Sequence, residues 1–318
     1  MLTADEVIWG YRYVLGRDPE SRSTIERQSA DNADWATFRR RLISSPEFQS
    51  KGLPISTGRS KWVAADILGG QRLLWLDLVD EFVSRGCLND DYEQLESDVV
   101  RRHLREGHVF VDVGANIGWF TLLASTLVGA GGRVHAFEPR KPTVDYLRRS
   151  VAMNDLGAIV VVHEFGLDRM AGQAKLCWKA STRNPGHSYL GTGEGHAAEE
   201  IQEVRLESLD RLRLGRIDMI KLDVEGAEMR VLEGGEATLT LSRPVALCEI
   251  YPAQLRAVSK AAPADVFGWF KTRGYRSFIV DRQRNGEEIN DFPTDWRKEL
   301  INVAFVPRDR QSSDNQNL

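Results

Sequence analysis

The sequence has no apolar run approaching the ~20 residues of a membrane-spanning helix, so no such span is expected. It has no surplus of positive charge. Its 42 Lys and Arg stand against 46 Asp and Glu, a formal net charge of −4, which removes any global electrostatic case for a nucleic-acid partner. It has only three cysteines, Cys87, Cys177 and Cys248, far apart and in apolar surroundings. That pattern favours buried, reduced thiols over a disulfide or metal role. Its opening residues, Met1-Leu2-Thr3-Ala4-Asp5-Glu6, lack the basic-then-apolar plan of a signal peptide, and the expectation is a cytoplasmic protein.

What is present is organised around Val109-Phe110-Val111-Asp112-Val113-Gly114-Ala115-Asn116-Ile117-Gly118-Trp119-Phe120. The run opens as a strand buried on both faces, passes through a glycine-punctuated turn and enters an apolar helix pattern. Strand, turn and helix N-terminus make a ligand cradle, since the glycines admit close backbone approach and free helix N–H groups point into it. Asp112 at the strand end disfavours a bare polyphosphate and suits a cationic or hydroxyl-bearing ligand.

Upstream, Val7, Ile8, Tyr11, Val14 and Leu15 follow helical spacing, stopped by Gly16 and Pro19. Trp35, Phe38, Leu42 and Ile43 repeat the pattern, so residues 1–50 are expected as a helical module. Residues 51–90 are expected as a linker and helical lead-in, Gly52 to Gly70 as loop and 71–86 as one helix. A helix over 91–106 then opens a domain running to 307, followed by a disordered tail at 308–318. Strand patterns at 133–138, 159–163, 218–223 and 244–250 alternate with helices, and two further strands fall at 277–280 and 302–306. Alternation of this kind implies an α/β, doubly wound, mostly parallel seven-stranded sheet with an antiparallel closing pair. About 50 residues separate the third and fourth strands, longer than an ordinary connection, and are expected to add edge strands and a lid.

Ligands in such sheets sit beyond the carboxyl ends of the strands. Acidic residues fall there four times: Asp112, Glu138, Asp223 and Glu249. A carboxylate at Glu138 can take both hydroxyls of a ribose, and Asp168 after the third strand can meet an adenine amino group. The dinucleotide fingerprint Gly-x-Gly-x-x-Gly is incomplete: its positions read Gly114, Asn116 and Trp119. A diphosphate would be held off, and the turn better fits a smaller nucleoside with a charged amino-acid tail, namely S-adenosylmethionine.

Three runs, Asp112-Val113-Gly114-Ala115-Asn116-Ile117-Gly118, Phe137-Glu138-Pro139 and Lys221-Leu222-Asp223-Val224-Glu225-Gly226-Ala227-Glu228, resemble the FkbM family of S-adenosylmethionine-dependent methyltransferases. The resemblance spans roughly residues 90–255 and implies a seven-stranded, Rossmann-like methyltransferase fold with O-methylation of a sugar, polyketide or related hydroxyl. It implies cofactor contacts at Asp112, Gly114, Asn116, Gly118 and Glu138, and a wall near the transferred methyl at Asp223 and the residues after it. Asp223, Glu225, Glu228 and Glu249 offer carboxylates and His187 an imidazole for removing the acceptor's proton. Alternatively, Asp223 and Glu249 could hold a divalent ion such as magnesium that acidifies the hydroxyl. Glu225 and Glu228 could also serve only as helix caps, and the in-strand His135 and His163 read as core or face residues.

Separately, Tyr11-Arg12-Tyr13-Val14-Leu15-Gly16-Arg17-Asp18-Pro19 with Ser45-Pro46-Glu47-Phe48 resembles a small helical module that accompanies bacterial surface-polysaccharide enzymes and secreted repeat proteins. It implies a glycan or glycolipid acceptor, and a glycan-assembly partner or self-association through residues 1–50. A nicotinamide-dependent oxidoreductase and a non-catalytic scaffold in surface-glycan assembly are the alternatives.

Overall fold

A computed structural model describes residues 2–11, 15, 17–34, 37–38, 41–42, 44–47, 62–77, 80, 83–88, 92–178, 188–190, 200–293, 296 and 299–310. The central element is strand β3 (Val109–Val113), whose successive residues are buried on opposite faces. Phe110 joins one apolar cluster, while Val111 and Val113 join another on the far side. Leu247 and Ala246 divide in the same way on β11 (Val245–Ile250). A strand lined with apolar side chains on both faces needs a layer of cover on each, and it has one.

Strands β4 (Arg133–Phe137) and β5 (Val160–His163) run parallel to β3 on one side, β10 (Met219–Leu222) and β11 on the other. The sheet closes antiparallel through β14 (Ile301–Pro307), β12 (Tyr275–Val280) and the two-residue β13 (Glu288–Ile289), in the order β13-β12-β14-β11-β10-β3-β4-β5. These are the seven expected strands, with β13 as a short eighth. Helices Trp119–Val128 and Lys141–Met153 cover one face, and Glu228–Gly234, Pro252–Val258 and Pro263–Thr272 the other. The three cysteines are buried and outside any disulfide, and no helix of the described residues is long and apolar enough to cross a membrane.

Two expectations fail. The helix expected over 71–86 is instead half of a hairpin, β1 (Trp62–Ile67) against β2 (Arg72–Asp77), with only Val83–Leu88 helical. The apolar run Leu73-Leu74-Trp75-Leu76 suits either state by composition. The left-handed turn at Leu68, Gly69 and Gly70 decides for the strand, and Leu74 and Leu76 then bury on alternate positions. The outer edge of β2 is satisfied by side chains of helix Lys141–Met153 and its C-cap. Asn154 Oδ1 accepts from the Leu73 amide at 2.9 Å, and Ser150 Oγ from the Trp75 amide at 3.1 Å.

Second, the strands between β5 and β10 do not extend the main sheet. β6 (Gly166–Leu167), β7 (Gly172–Trp178), β8 (Ser188–Leu190) and β9 (Glu200–Glu207) form a separate sheet in the order β6-β9-β7-β8. Its own apolar cluster of Leu176, Val204 and Leu206 gives it a face to bury without borrowing the main edge.

At the N-terminus, helices Ala4–Gly10 and Arg22–Asp31 gather Val7, Tyr11, Leu15, Phe38 and Leu42 into a cluster of their own. The Arg17 guanidinium, 5.0 Å from the Tyr11 ring centroid, grips both carboxylate oxygens of Glu47. Val14, Gly16, Trp35, Ile43 and Phe48 lie outside the described residues, as do 51–61 and the tail from 311. Asp309, expected in the tail, pairs with Arg243 at 3.0 Å.

Candidate active site

A cavity of about 410 Å³ opens beyond the carboxyl ends of β3, β4, β10 and β11. Its floor is the turn after β3. Gly114 has φ +81°, and a Cβ there would lie 1.9 Å from the Asp223 carbonyl oxygen, so only glycine lets the ends of β3 and β10 meet. The Gly114 and Ala115 amides both donate to the Phe137 carbonyl at 3.0 Å. Asn116, at φ +50°, is a residue type that tolerates the left-handed region. Its amide donates to Glu138 Oε2 at 3.0 Å, while the Arg140 amide donates to Oε1 at 2.9 Å. Each Glu138 oxygen thus keeps acceptor capacity toward the cavity, and burial pushes the carboxyl up to about 7. The buried Asn116 Oδ1, on the same wall, has no partner.

Opposite lies a charged group centred on Lys221, a buried residue of β10. Its Nζ is 2.7 Å from Asp223 Oδ2 and 4.8 Å from the Phe120 ring centroid. Burial opposes the ammonium charge, but Asp223, Glu93 and Asp112 outweigh it and hold Lys221 above the usual lysine range. Glu225 carries the left-handed φ of +52°, lines the cavity and is pushed up to about 8 by burial and then by Asp223. Glu249, from β11, is raised well above the ordinary range by burial and by Asp223, Glu225 and Glu93. Six carboxylates (Glu93, Glu138, Asp223, Glu225, Glu249 and Glu299) therefore line a cavity near one ammonium. A cationic ligand suits such a chamber; a phosphate does not.

The expected site residues divide. Gly114, Asn116, Glu138, Asp223, Glu225 and Glu249 all line the cavity. Asp112, Gly118 and Asp168 are not among the residues that line it. Asp112 is fully buried and accepts from Thr121 Oγ1 at 2.6 Å, anchoring the helix that follows the turn. A Cβ at Gly118 would lie 2.5 Å from Leu147 Cδ1, so this glycine seats one helix on another. Asp168 pairs with Arg230 at 2.7 Å, so its carboxylate is already engaged. Glu228 does not line the cavity: its Oε1 accepts from the Val224 and Gly226 amides at 3.2 and 3.1 Å, which fixes the turn ahead of the helix. His187 lies outside the described residues. His135 and His163 pair through ring nitrogens 3.1 Å apart, pushed down to about 4 by burial and kept neutral.

Lys221, Glu93, Tyr92 and Tyr251 escaped the sequence reading. A lysine inside an otherwise apolar buried strand was a usable signal, since such a charge needs a buried counter-ion; Glu93 offered none. Among the described residues no group of three or more His, Cys, Asp or Glu is arranged to hold a metal ion. Asp223, one of the two acids considered for magnesium, is engaged through Oδ2 by Lys221 at 2.7 Å.

The family profile described as Methyltransferase FkbM domain matches residues 112–277. Methyltransferase sdnD of Sordaria araneosa is 33% identical over 155 residues, 39% of this chain and 59% of the relative. The 31-O-demethyl-FK506 methyltransferase FkbM of Streptomyces tacrolimicus is 32% identical over 160 residues, 42% of this chain and 61% of the relative. The chain thus spans about three-fifths of the length of these relatives. The crystal structure of methyltransferase FkbM from Methylobacillus flagellatus superposes with a TM-score of 0.43 at 13% identity, covering 94% of this chain and 58% of that one.

Proposed function

This chain belongs to the FkbM methyltransferase family, and from that premise we propose that it is an S-adenosylmethionine-dependent O-methyltransferase acting on a hydroxyl of a glycan, glycolipid or related natural product. The observation that carries the proposal is the Glu138 carboxylate. It is oriented by two backbone amides, lines the cavity and keeps a free acceptor site on each oxygen, as a ribose diol requires. Gly114 and the unpartnered Asn116 Oδ1 adjoin it, and the acidic lining suits a sulfonium and an α-amino group. When bound, S-adenosylmethionine supplies an electrophilic methyl group.

The remaining work falls to the chain's own side chains. Glu225 or Glu249, once ionised beside the cationic donor, is the carboxylate that receives the acceptor's hydroxyl proton, its raised proton affinity making it the stronger base. Asp223, fixed by Lys221, orients the centre. Leu167 and Leu176 give the roof an apolar surface against the acceptor. The name of the Streptomyces relative, a methyltransferase of 31-O-demethyl-FK506, supports oxygen as the accepting atom. The glycan assignment, and a glycan-assembly partner or self-association through residues 1–50, rest on the likeness of the N-terminal motifs.

Calorimetric titration with S-adenosylhomocysteine, beside Glu138→Ala, tests the reading. Micromolar binding that the substitution abolishes is expected. A folded wild type that does not bind overturns it. Acceptors are then screened by methyl transfer to candidate sugars and glycolipids.

A further inference from the structure

One wall of the cavity comes from outside the family domain. Tyr92 and Glu93 precede residue 112, yet both line the chamber. Glu93 is held at φ +44°, a left-handed conformation that glycine or asparagine adopts with less strain. Helix capping does not account for it. Glu93 is the N-cap residue of helix Gln94–His103, but its side chain makes no cap hydrogen bond. The carboxylate is turned to the cavity instead, where strained residues of this kind collect.

The groups that face Glu93 come from every element around it. Lys221 and Asp223 stand at the end of β10, Glu249 on β11, Glu96 on its own helix, and Tyr92 is hydrogen-bonded to it. Lys221 Nζ is committed to Asp223 at 2.7 Å. Several carboxylates, among them Glu93, Asp223, Glu249 and Asp112, therefore share one ammonium. Buried negative charge in excess is unfavourable until a cation arrives.

We propose that Glu93 is a binding residue for the sulfonium charge of the methyl donor, so that the segment ahead of the family domain completes the site. The proposal rests on the methyltransferase reading. It makes Glu93 a counter-charge on the acidic side of the chamber, facing the part of the ligand that Glu138 does not hold.

The test uses the full chain at pH 8 and two probes that differ at sulfur, S-adenosylmethionine with its sulfonium charge and S-adenosylhomocysteine without it. Glu93→Gln is expected to weaken the charged probe about tenfold more than the neutral one, a difference of about 1.4 kcal/mol. Glu93→Gly, which relieves the strained φ, is expected to show the same selective loss with an unchanged or raised melting temperature. Equal weakening of both probes, or no weakening, overturns the proposal. A wild type that binds neither probe removes the methyltransferase reading itself, which the unmutated control reports separately.

Discussion

The amide of Asn116 donates to Glu138 Oε2 at 3.0 Å, tying the turn after β3 to the carboxylate that ends β4. The loop and the acid are thereby one unit, since the second Glu138 oxygen is held by the Arg140 amide. Replacing Glu138 by alanine leaves both amides without their acceptor, whereas glutamine keeps one. Each lost charge-assisted bond costs about 1.5–3 kcal/mol. Affinity for S-adenosylhomocysteine should fall at least about a hundredfold in Glu138→Ala and about tenfold in Glu138→Gln by calorimetry.

Lys221 is the compensating charge of the acidic cluster. Lys221→Met removes it and leaves Asp223 and Glu93 without a counter-ion, a change of the kind that costs about 3–5 kcal/mol when a buried pair is broken. The loss should be larger at pH 8 than at pH 5, because acid neutralises the orphaned carboxylates. Denaturant melts at the two pH values decide it. Equal losses would place the lysine's worth in packing.

Several buried acids titrate above their ordinary range. Glu93, Glu138 and Glu228 are pushed to about 7 and Glu225 to about 8, against 4.5 when free. A folded-state pKa raised above the unfolded one means the native protein holds protons more tightly. The associated stability is complete below about pH 4.5 and is lost as pH rises through 7 to 8. The ligand-free protein should therefore melt lower at pH 8.5 than at pH 5.5, by on the order of 5–10 °C. A saturating cationic ligand should flatten that slope, as scanning calorimetry would record.

Gly107 and Gly114 share a left-handed φ, +80° and +81°, but not their surroundings. Nothing lies within 4 Å of a Cβ at Gly107, while one at Gly114 meets the Asp223 carbonyl. Gly107→Ala should cost only the conformational ~1–2 kcal/mol. Gly114→Ala adds a backbone collision and should cost more than about 3 kcal/mol, with loss of ligand binding. Similar melting curves for the two variants would contradict the close approach of β3 and β10.

Arg17 and Glu47 join the two halves of the N-terminal motif. The pair is about 30% exposed on each side, so its worth is modest, about 1 kcal/mol. Arg17→Ala should accelerate hydrogen exchange within residues 2–47 and leave S-adenosylhomocysteine affinity unchanged.

Legibility in the sequence followed the length scale of each interaction. The strand-turn-helix from Val109 to Phe120 was readable because its glycines and apolar run act locally. The acids at 138, 223, 225 and 249 were readable because parallel topology sends strand ends to one edge. Asp112 and Asp168 looked the same in the sequence, but they are engaged by Thr121 and Arg230 and do not line the cavity. Such partner choice depends on packing across elements. The hairpin at 62–77 was misread because Leu73–Leu76 satisfies both periodicities, and its edge partners, Ser150 and Asn154, are more than seventy residues away.

The roof of the chamber starts and ends at one place. Gly166 and Leu167 lie in register with Leu206 and Glu207, and the Asp168 amide donates to the Glu207 carbonyl at 2.8 Å. The described strands of this excursion, β7, β8 and β9, pair with one another and not with the main sheet. The excursion's length and lining can change without moving β5 or β10. On the proposed function, exchanging Leu176 and Ser188, which line the cavity from this sheet, would change acceptor preference while Gly114 and Glu138 stay as they are.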